Sequence, residues 1–320
     1  MDLESYIEQS ADQIDRIIDR YFGGGGTDLA RASAHLLLAG GKRLRPTVAL
    51  LSAEAVRKGG SETAVQAAIA LELTHNFTLI HDDIMDGDRL RRGVPTVHAK
   101  WDEPTAILAG DVLFARAFEF ITLSGAPDPA KVRAVSMLAR TCAELCEGQH
   151  MDMSFEKRDD VNEFEYLEMV RKKTGVLYAA SAGLGAIIAG GTPVYADSLY
   201  HYGLAIGTAF QIQDDLIDLL APVEKSGKDR ASDLREGKKT LISIKAREKG
   251  IDLTPYQRNL SDSEIDEVVA LLEREGVIRE VREIADDLVR SAKERLSILP
   301  DSEEKALLLA IGDYFVSRGT

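Results

Sequence analysis

The 320-residue chain predicts an all-α fold. Apolar residues recur at three- and four-residue intervals over 64–84, 106–123, 132–146 and 199–220, the repeat that lines one face of a helix. Alternating runs that would make half-buried strands are scarce. No stretch rich in Pro, Gly and Ser divides the pattern, so one domain over 1–320, a single large helical bundle, is expected.

The elements announce their ends in order. The first helix is amphipathic and acidic and gives way at Gly23 to Gly26, a short hinge rather than a boundary. Gly40/Gly41, Gly59/Gly60, Gly148 and Gly190/Gly191 read as helix stops. Asp102 with Pro104, Pro127 with Pro129, Asn162, and Ser261 followed three residues later by Glu264 read as starts. The polar segment from Ala221 to Lys239 is long for a helix connection and carries Lys225, Lys228, Arg235, Lys238 and Lys239. Such a loop is suited to closing over an anion.

Composition narrows the function. A net charge of −14 argues against nucleic acid, whose phosphates need a basic surface. No apolar run reaches the length of a membrane span, and the acidic N-terminus is unlike a targeting peptide. Cys142 and Cys146 lie four apart without nearby His partners, which fits packing thiols in a reducing, cytoplasmic setting. His35, His98, His150 and His201 have no zinc-ligand spacing, and His81 reads as packing.

Two aspartate clusters stand out: Asp82, Asp83 and Asp86, then Asp214, Asp215 and Asp218. Each has the spacing i, i+1, i+4 at the end of a helical pattern, so two carboxylates of each cluster point one way, with Cβ atoms roughly 5–6 Å apart. Like charges so placed repel and call for a cation, and hard carboxylate oxygens suit Mg²⁺. Lys42, Arg43 and Arg45 precede the first cluster, and Arg89, Arg91 and Arg92 follow it. Carboxylates for a metal beside guanidinium and ammonium groups make a diphosphate site. A Walker loop is missing, because EGKKT has an extra Lys before Thr, and a Rossmann fingerprint is absent as well, because GLGAII at 183–188 has no third glycine and follows no strand.

These residues resemble the trans-isoprenyl diphosphate synthases of the farnesyl and geranylgeranyl type. The motifs, in order, are GGKRLRP at 40–46, His75, DDIMD with RLRRGVPT at 89–96, AGD at 109–111, GQHMD at 148–152, KTG at 173–175, FQIQDDLID and the GK…DL…GKKT loop. The uninterrupted DDxxD is of the archaeal kind, and Ala231 stands where many relatives have glycine. The resemblance implies an all-helical isoprenoid synthase fold around a deep central cavity, usually a homodimer, that joins isopentenyl diphosphate to an allylic diphosphate.

It also implies roles. Asp82, Asp86 and Asp214 would ligate Mg²⁺, three ions per site with substrate bound, supported by Asp83, Asp215 and Asp218. Arg91, Lys173, Thr174, Gln211, Lys228 and Lys238 would contact the allylic diphosphate. Lys42, Arg45, His75 and Arg92 would hold isopentenyl diphosphate, and Gln149 and Asp152 would line or buttress the cavity. Thr78 and Phe77, four and five residues before the first Asp, would form the floor for the product tail. At 1.5 Å per residue Phe77 lies about 7.5 Å from Asp82, so a C20 chain has to pass it. The small residue at the fourth position and the aromatic at the fifth resemble geranylgeranyl synthases, with C15 and C25 products left open.

Two rivals are weighed against this. A class I terpene cyclase also opens with DDxxD, but it carries an Asn/Ser/Glu metal motif on its second wall and has no use for GGKRLRP. A non-catalytic subunit of a heteromeric prenyl synthase is expected to lose one aspartate motif, and both are intact.

Overall fold

A computed structural model describes residues 2–220 and 230–317. The long helices in order are α1 (Leu3–Phe22), α2 (Asp28–Leu38), α3 (Leu44–Val56), α4 (Gly60–Met85), the single turn α5 (Val97–Lys100), α6 (Glu103–Thr122) and α7 (Asp128–Phe155). There follow α8 (Glu163–Val170), a π-helical turn at Arg171–Gly175, α9 (Val176–Ile188), α10 (Pro193–Leu220), the short α11 (Ser232–Glu236) and α12 (Leu241–Glu248). The last three are α13 (Asp262–Arg274), α14 (Val277–Arg295) and α15 (Glu303–Ser317). The expected all-α class holds. Among the described residues the strands amount to one hairpin, β1 (Leu90–Arg91) against β2 (Val94–Pro95).

Local chemistry explains the boundaries that sequence predicts. The Asp102 side chain accepts from the Thr105 N–H, with Pro104 in the first turn of α6. Asn162 and Ser261 each form a complete capping box with Glu165 and Glu264. Gly148 is a correction: α7 runs through it to Phe155, and the glycine is there because a neighbouring backbone approaches, as described below. The hairpin is also absent from the sequence reading, since four strand residues offer no periodicity.

The described residues form two compact units, each assembled from separate stretches of chain. The first takes 2–142, 177–203 and 296–308, and the second 143–176, 204–220, 230–295 and 309–317. In the first, α4 packs against α3 and α6, and it is buried on most sides from Ala64 to Ile80. That enclosure is why α4 shows an almost unbroken apolar run rather than a narrow stripe. In the second, Tyr166, Val170, Ile212, Leu216, Leu241 and Val268 belong to one buried cluster. No helix among the described residues is long and apolar enough to cross a membrane. Cys142 is buried and Cys146 exposed, and neither is in a disulfide.

Candidate active site

In the first unit the end of α4 carries the first aspartate cluster. Asp82 is half-buried, Asp83 fully buried, and Asp86 exposed at the helix C-cap. Asp83 turns from the other two to pair with the Arg91 Nε, and Arg91 also reaches Asp88 at 3.5 Å. Burial raises the Asp83 carboxyl above its usual range, against the pull of Arg91. Its Oδ2 is buried without a hydrogen-bond partner. Asp83 and Arg91 therefore tie the hairpin to α4, while Asp82 lies one residue before Asp83 and Asp86 caps the helix end.

The basic residues of this unit collect around His75. His75 is half-buried and held well below its ordinary pKa, by burial first and then by Arg45, Arg92, Arg91 and Arg43, so it is neutral at pH 7. Arg92 sits in the left-handed region at φ 53° and donates to the Leu36 carbonyl at 3.2 Å and to that of Gly40. Its guanidinium lies over Gly41, where an added Cβ would come within 3.3 Å. The Arg45 guanidinium lies 4.6 Å from the Tyr178 ring centroid, and its Nε is buried without a hydrogen-bond partner. Lys42 is exposed.

Further up α4, Phe77 is 7% exposed and meets Phe114 of α6 edge-on at 5.3 Å, and Phe114 meets Phe118 at 5.1 Å. Thr78 donates its hydroxyl to the His75 carbonyl at 2.8 Å. His81 packs as expected: it fills the space that Gly110 leaves on α6 and contacts the Ile107 carbonyl at 3.1 Å. Phe114 and Phe118 lie 37 or more residues from Phe77, beyond any local signal.

In the second unit Lys173 and Thr174 occupy the π-helical turn, a form common at functional sites. A Cβ on Gly148 would come within 2.4 Å of the Lys173 nitrogen, which explains the glycine of GQHMD. Lys173 pairs with Asp152 at 2.5 Å. The Thr174 hydroxyl donates to Gln211, the Gln211 amide donates to Asp215, each at 3.0 Å, and the Tyr166 hydroxyl donates to Asp215 at 2.6 Å. Burial, reinforced by Asp233 and Asp214, pushes Asp215 up to about 8, although Tyr166 and Gln211 pull it down. Tyr166 escaped the sequence reading because nothing marks it within its own helix.

Asp218, the third aspartate, accepts from the Ser232 hydroxyl at 2.6 Å and from the Asp233 N–H at 3.0 Å, and so anchors the start of α11. Ala231 just before it adopts φ 57°, the conformation a glycine would take without cost. Asp214 is half-buried. Lys238 bridges Asp233 at 3.1 Å and Glu236 at 3.3 Å. Burial works against its charge, but the two carboxylates outweigh it and raise its pKa. Lys225 and Lys228 lie outside the described residues.

The donors suit Mg²⁺: all are carboxylate oxygens, and Asp83 leaves one of its two unpartnered beside the Asp82/Asp86 pair. No three acidic, His or Cys groups among the described residues are set to enclose an ion.

A family model for polyprenyl synthetases matches residues 27–272. The chain belongs to that family. It is a trans-isoprenyl diphosphate synthase by family, and the expected prenyltransferase class stands with it. A geranylfarnesyl diphosphate synthase of Natronomonas pharaonis is 50% identical over 306 residues, covering 91% of this chain and 90% of that one. The solved geranylgeranyl pyrophosphate synthetase from Geoglobus acetivorans superposes with a TM-score of 0.91 at 46% identity, over 98% of this chain and 99% of that one. A polyprenyl synthase from Caulobacter crescentus CB15, solved in complex with calcium and isoprenyl diphosphate, gives 0.86 at 29% identity, over 99% and 97%. The shared architecture is the all-α isoprenoid synthase fold.

Proposed function

We propose that this polyprenyl synthetase condenses isopentenyl diphosphate with allylic diphosphates of C5 to C15 and releases geranylgeranyl diphosphate. The observation that carries the reading is the retention of both aspartate clusters in full, each beside cationic side chains: Arg91 and Arg92 after the first, Lys238 after the second. Asp82, Asp86 and Asp214 would hold Mg²⁺, three ions with substrate bound, and Asp83, Asp215 and Asp218 would fix their surroundings. When bound, the metal offsets charge on the allylic diphosphate and eases its departure.

The protein's own groups do the rest. Lys173, Arg91, Lys238 and Lys228 stabilise the departing diphosphate, and Thr174 and Gln211, already joined by a hydrogen bond, present their polar atoms to it. Lys42, Arg45, Arg92 and neutral His75 hold the diphosphate of isopentenyl diphosphate, which stays intact. The allylic C–O bond ionises, the isopentenyl double bond attacks the cation, and the departed diphosphate takes the proton that is lost. No strong protein base is required. Exclusion of water protects the cation from capture as an alcohol.

The Geoglobus relative supports C20 and the Natronomonas relative keeps C25 as the alternative. Phe77, met edge-on by Phe114, supports a constriction that a C20 chain passes and a longer one has to widen. The exposed side chains of Ile107, Leu108 and Phe114 on α6 support a homodimer.

Incubation with Mg²⁺, isopentenyl diphosphate and each of the C5, C10 and C15 allylic diphosphates, with products resolved by chain length, tests the proposal. A linear C20 diphosphate supports it. A cyclic hydrocarbon from the allylic substrate alone, or no product at all, overturns it.

A further inference from the structure

Arg43 is the one cation of the GGKRLRP segment that the proposed substrate cannot reach. Its side chain is 1% exposed. The Nε donates to Asp15 of α1 at 2.8 Å, one terminal nitrogen binds Glu72 of α4, and the other donates to the Leu37 carbonyl at the end of α2 at 2.6 Å. Glu72, itself 3% exposed, is held in turn by the Asn76 amide at 3.0 Å. Each of the three guanidinium nitrogens is thus held by a different helix, and the buried charge is matched by carboxylates.

The backbone at this residue is strained. Arg43 lies in the left-handed region at φ 47° and is the residue from which α3 departs, with Lys42 before it and Arg45 in the first turn after it. A side chain with a Cβ avoids that region unless its surroundings hold it there. The turn sets the direction of Lys42 relative to Arg45. It forms in a place where Arg45, Arg91, Arg92 and Arg43 all act on His75 with like charge, and where Glu72 acts favourably on Arg92. Without the carboxylates, mutual repulsion and the strained φ would both favour opening the segment.

We infer that Asp15 and Glu72, acting through Arg43, are positioning residues that hold the Gly40–Pro46 segment in its isopentenyl diphosphate-binding form before the substrate arrives. Neither touches substrate. The anchor extends the binding apparatus to α1, which no motif of the sequence connects with it. The inference rests on the proposed assignment of Lys42, Arg45 and Arg92 to isopentenyl diphosphate.

The test uses the full-length enzyme with Asp15→Asn, Asp15→Glu and Glu72→Gln, and with Arg92→Ala as a control on the assignment. In Asp15→Asn, KM for isopentenyl diphosphate is expected to rise about tenfold, the scale of one charge-assisted hydrogen bond, while kcat and KM for the allylic substrate stay within about twofold. Asp15→Glu should recover most of the loss. Glu72→Gln, at a buried position, should show the same split more strongly. Asp15 is 43% exposed on its side chain, so Asp15→Asn keeps the test valid if Glu72→Gln does not fold. A lowered Tm with both KM values unchanged, or equal rises in both, overturns the inference and leaves Arg43 a purely structural anchor. If Arg92→Ala also leaves KM for isopentenyl diphosphate unchanged, the site assignment itself falls; if only Asp15→Asn is silent, the anchor alone falls.

Discussion

Tyr166 of α8 donates its hydroxyl to Asp215 of α10 across 2.6 Å, and both side chains are buried. The bond gives the second aspartate cluster an internal strut, since Asp215 also accepts from Gln211, which in turn accepts from Thr174 on the π-helical turn. One aspartate is thereby linked to both the KTG and the FQIQDD motifs. Tyr166 is the unmarked member of this chain. Tyr166→Phe removes a bond that pulls Asp215 toward its charged form. Its carboxyl should then rise further, so in EDTA the decline of Tm with rising pH should extend to higher pH than in the parent; an unmoved end to that decline would show that Asp215 titrates independently of Tyr166.

Asp215 also sets a pH dependence of stability. Its folded-state pKa of about 8 lies above the ordinary carboxylate value, so the folded protein favours the neutral form. That contribution is complete below the ordinary range and is lost as pH rises toward 8. Asp215→Asn mimics the neutral form, so in EDTA its Tm should exceed that of the parent at pH 8 and converge with it by about pH 4. Turnover should fall in the same variant. Parallel Tm curves across that range would refute the assignment.

Asp82→Ala and Asp214→Ala should each lower kcat by about 100- to 1,000-fold, the scale of losing one preorganised charge partner of a transition state. Both residues are only half-buried, so the circular dichroism spectrum and Tm should change little. Near-normal turnover in either variant would remove that carboxylate from the metal site.

Phe77→Ala should lengthen the product beyond C20 and cost about 3 kcal/mol of stability, as an almost fully buried ring is lost. Phe114→Ala should produce a smaller lengthening, because it takes away the ring that braces Phe77 from the side. Chain-length analysis of the two variants separates floor from brace. An unchanged product in Phe77→Ala with a longer one in Phe114→Ala would move the floor to α6.

Gly148→Ala should damage the enzyme although it adds one methyl group. The new Cβ would fall within 2.4 Å of the Lys173 nitrogen and 2.8 Å of the Lys172 carbonyl carbon, both backbone atoms that cannot swing aside. A stability loss of about 1–3 kcal/mol is expected, together with a higher KM for the allylic substrate as the π-helical turn shifts Lys173. Thermal denaturation and steady-state kinetics check the two effects separately.

What the amino-acid sequence determined by itself is what acts within about one helical turn. The periodicity that made the chain all-α, the caps at Asp102, Asn162 and Ser261, and the shared face of Asp82 with Asp86 all follow from residues at most four positions apart. The sequence also places cationic groups beside the aspartates, and resemblance assigned their expected roles. Tertiary structure alone decided which polar groups became partners. Asp83 went to Arg91, Arg43 to Asp15 and Glu72, Tyr166 to Asp215, and Gly148 stayed inside α7 because the backbone at Lys173 passes beside it. Arg43, Arg92 and Ala231 entered the left-handed region against their local preference. These outcomes join residues 8 to 49 positions apart or overrule intrinsic backbone preference, and burial supplies the energy for both: a desolvated charge or amide must find its partner wherever the fold brings one, and no local pattern records where that is.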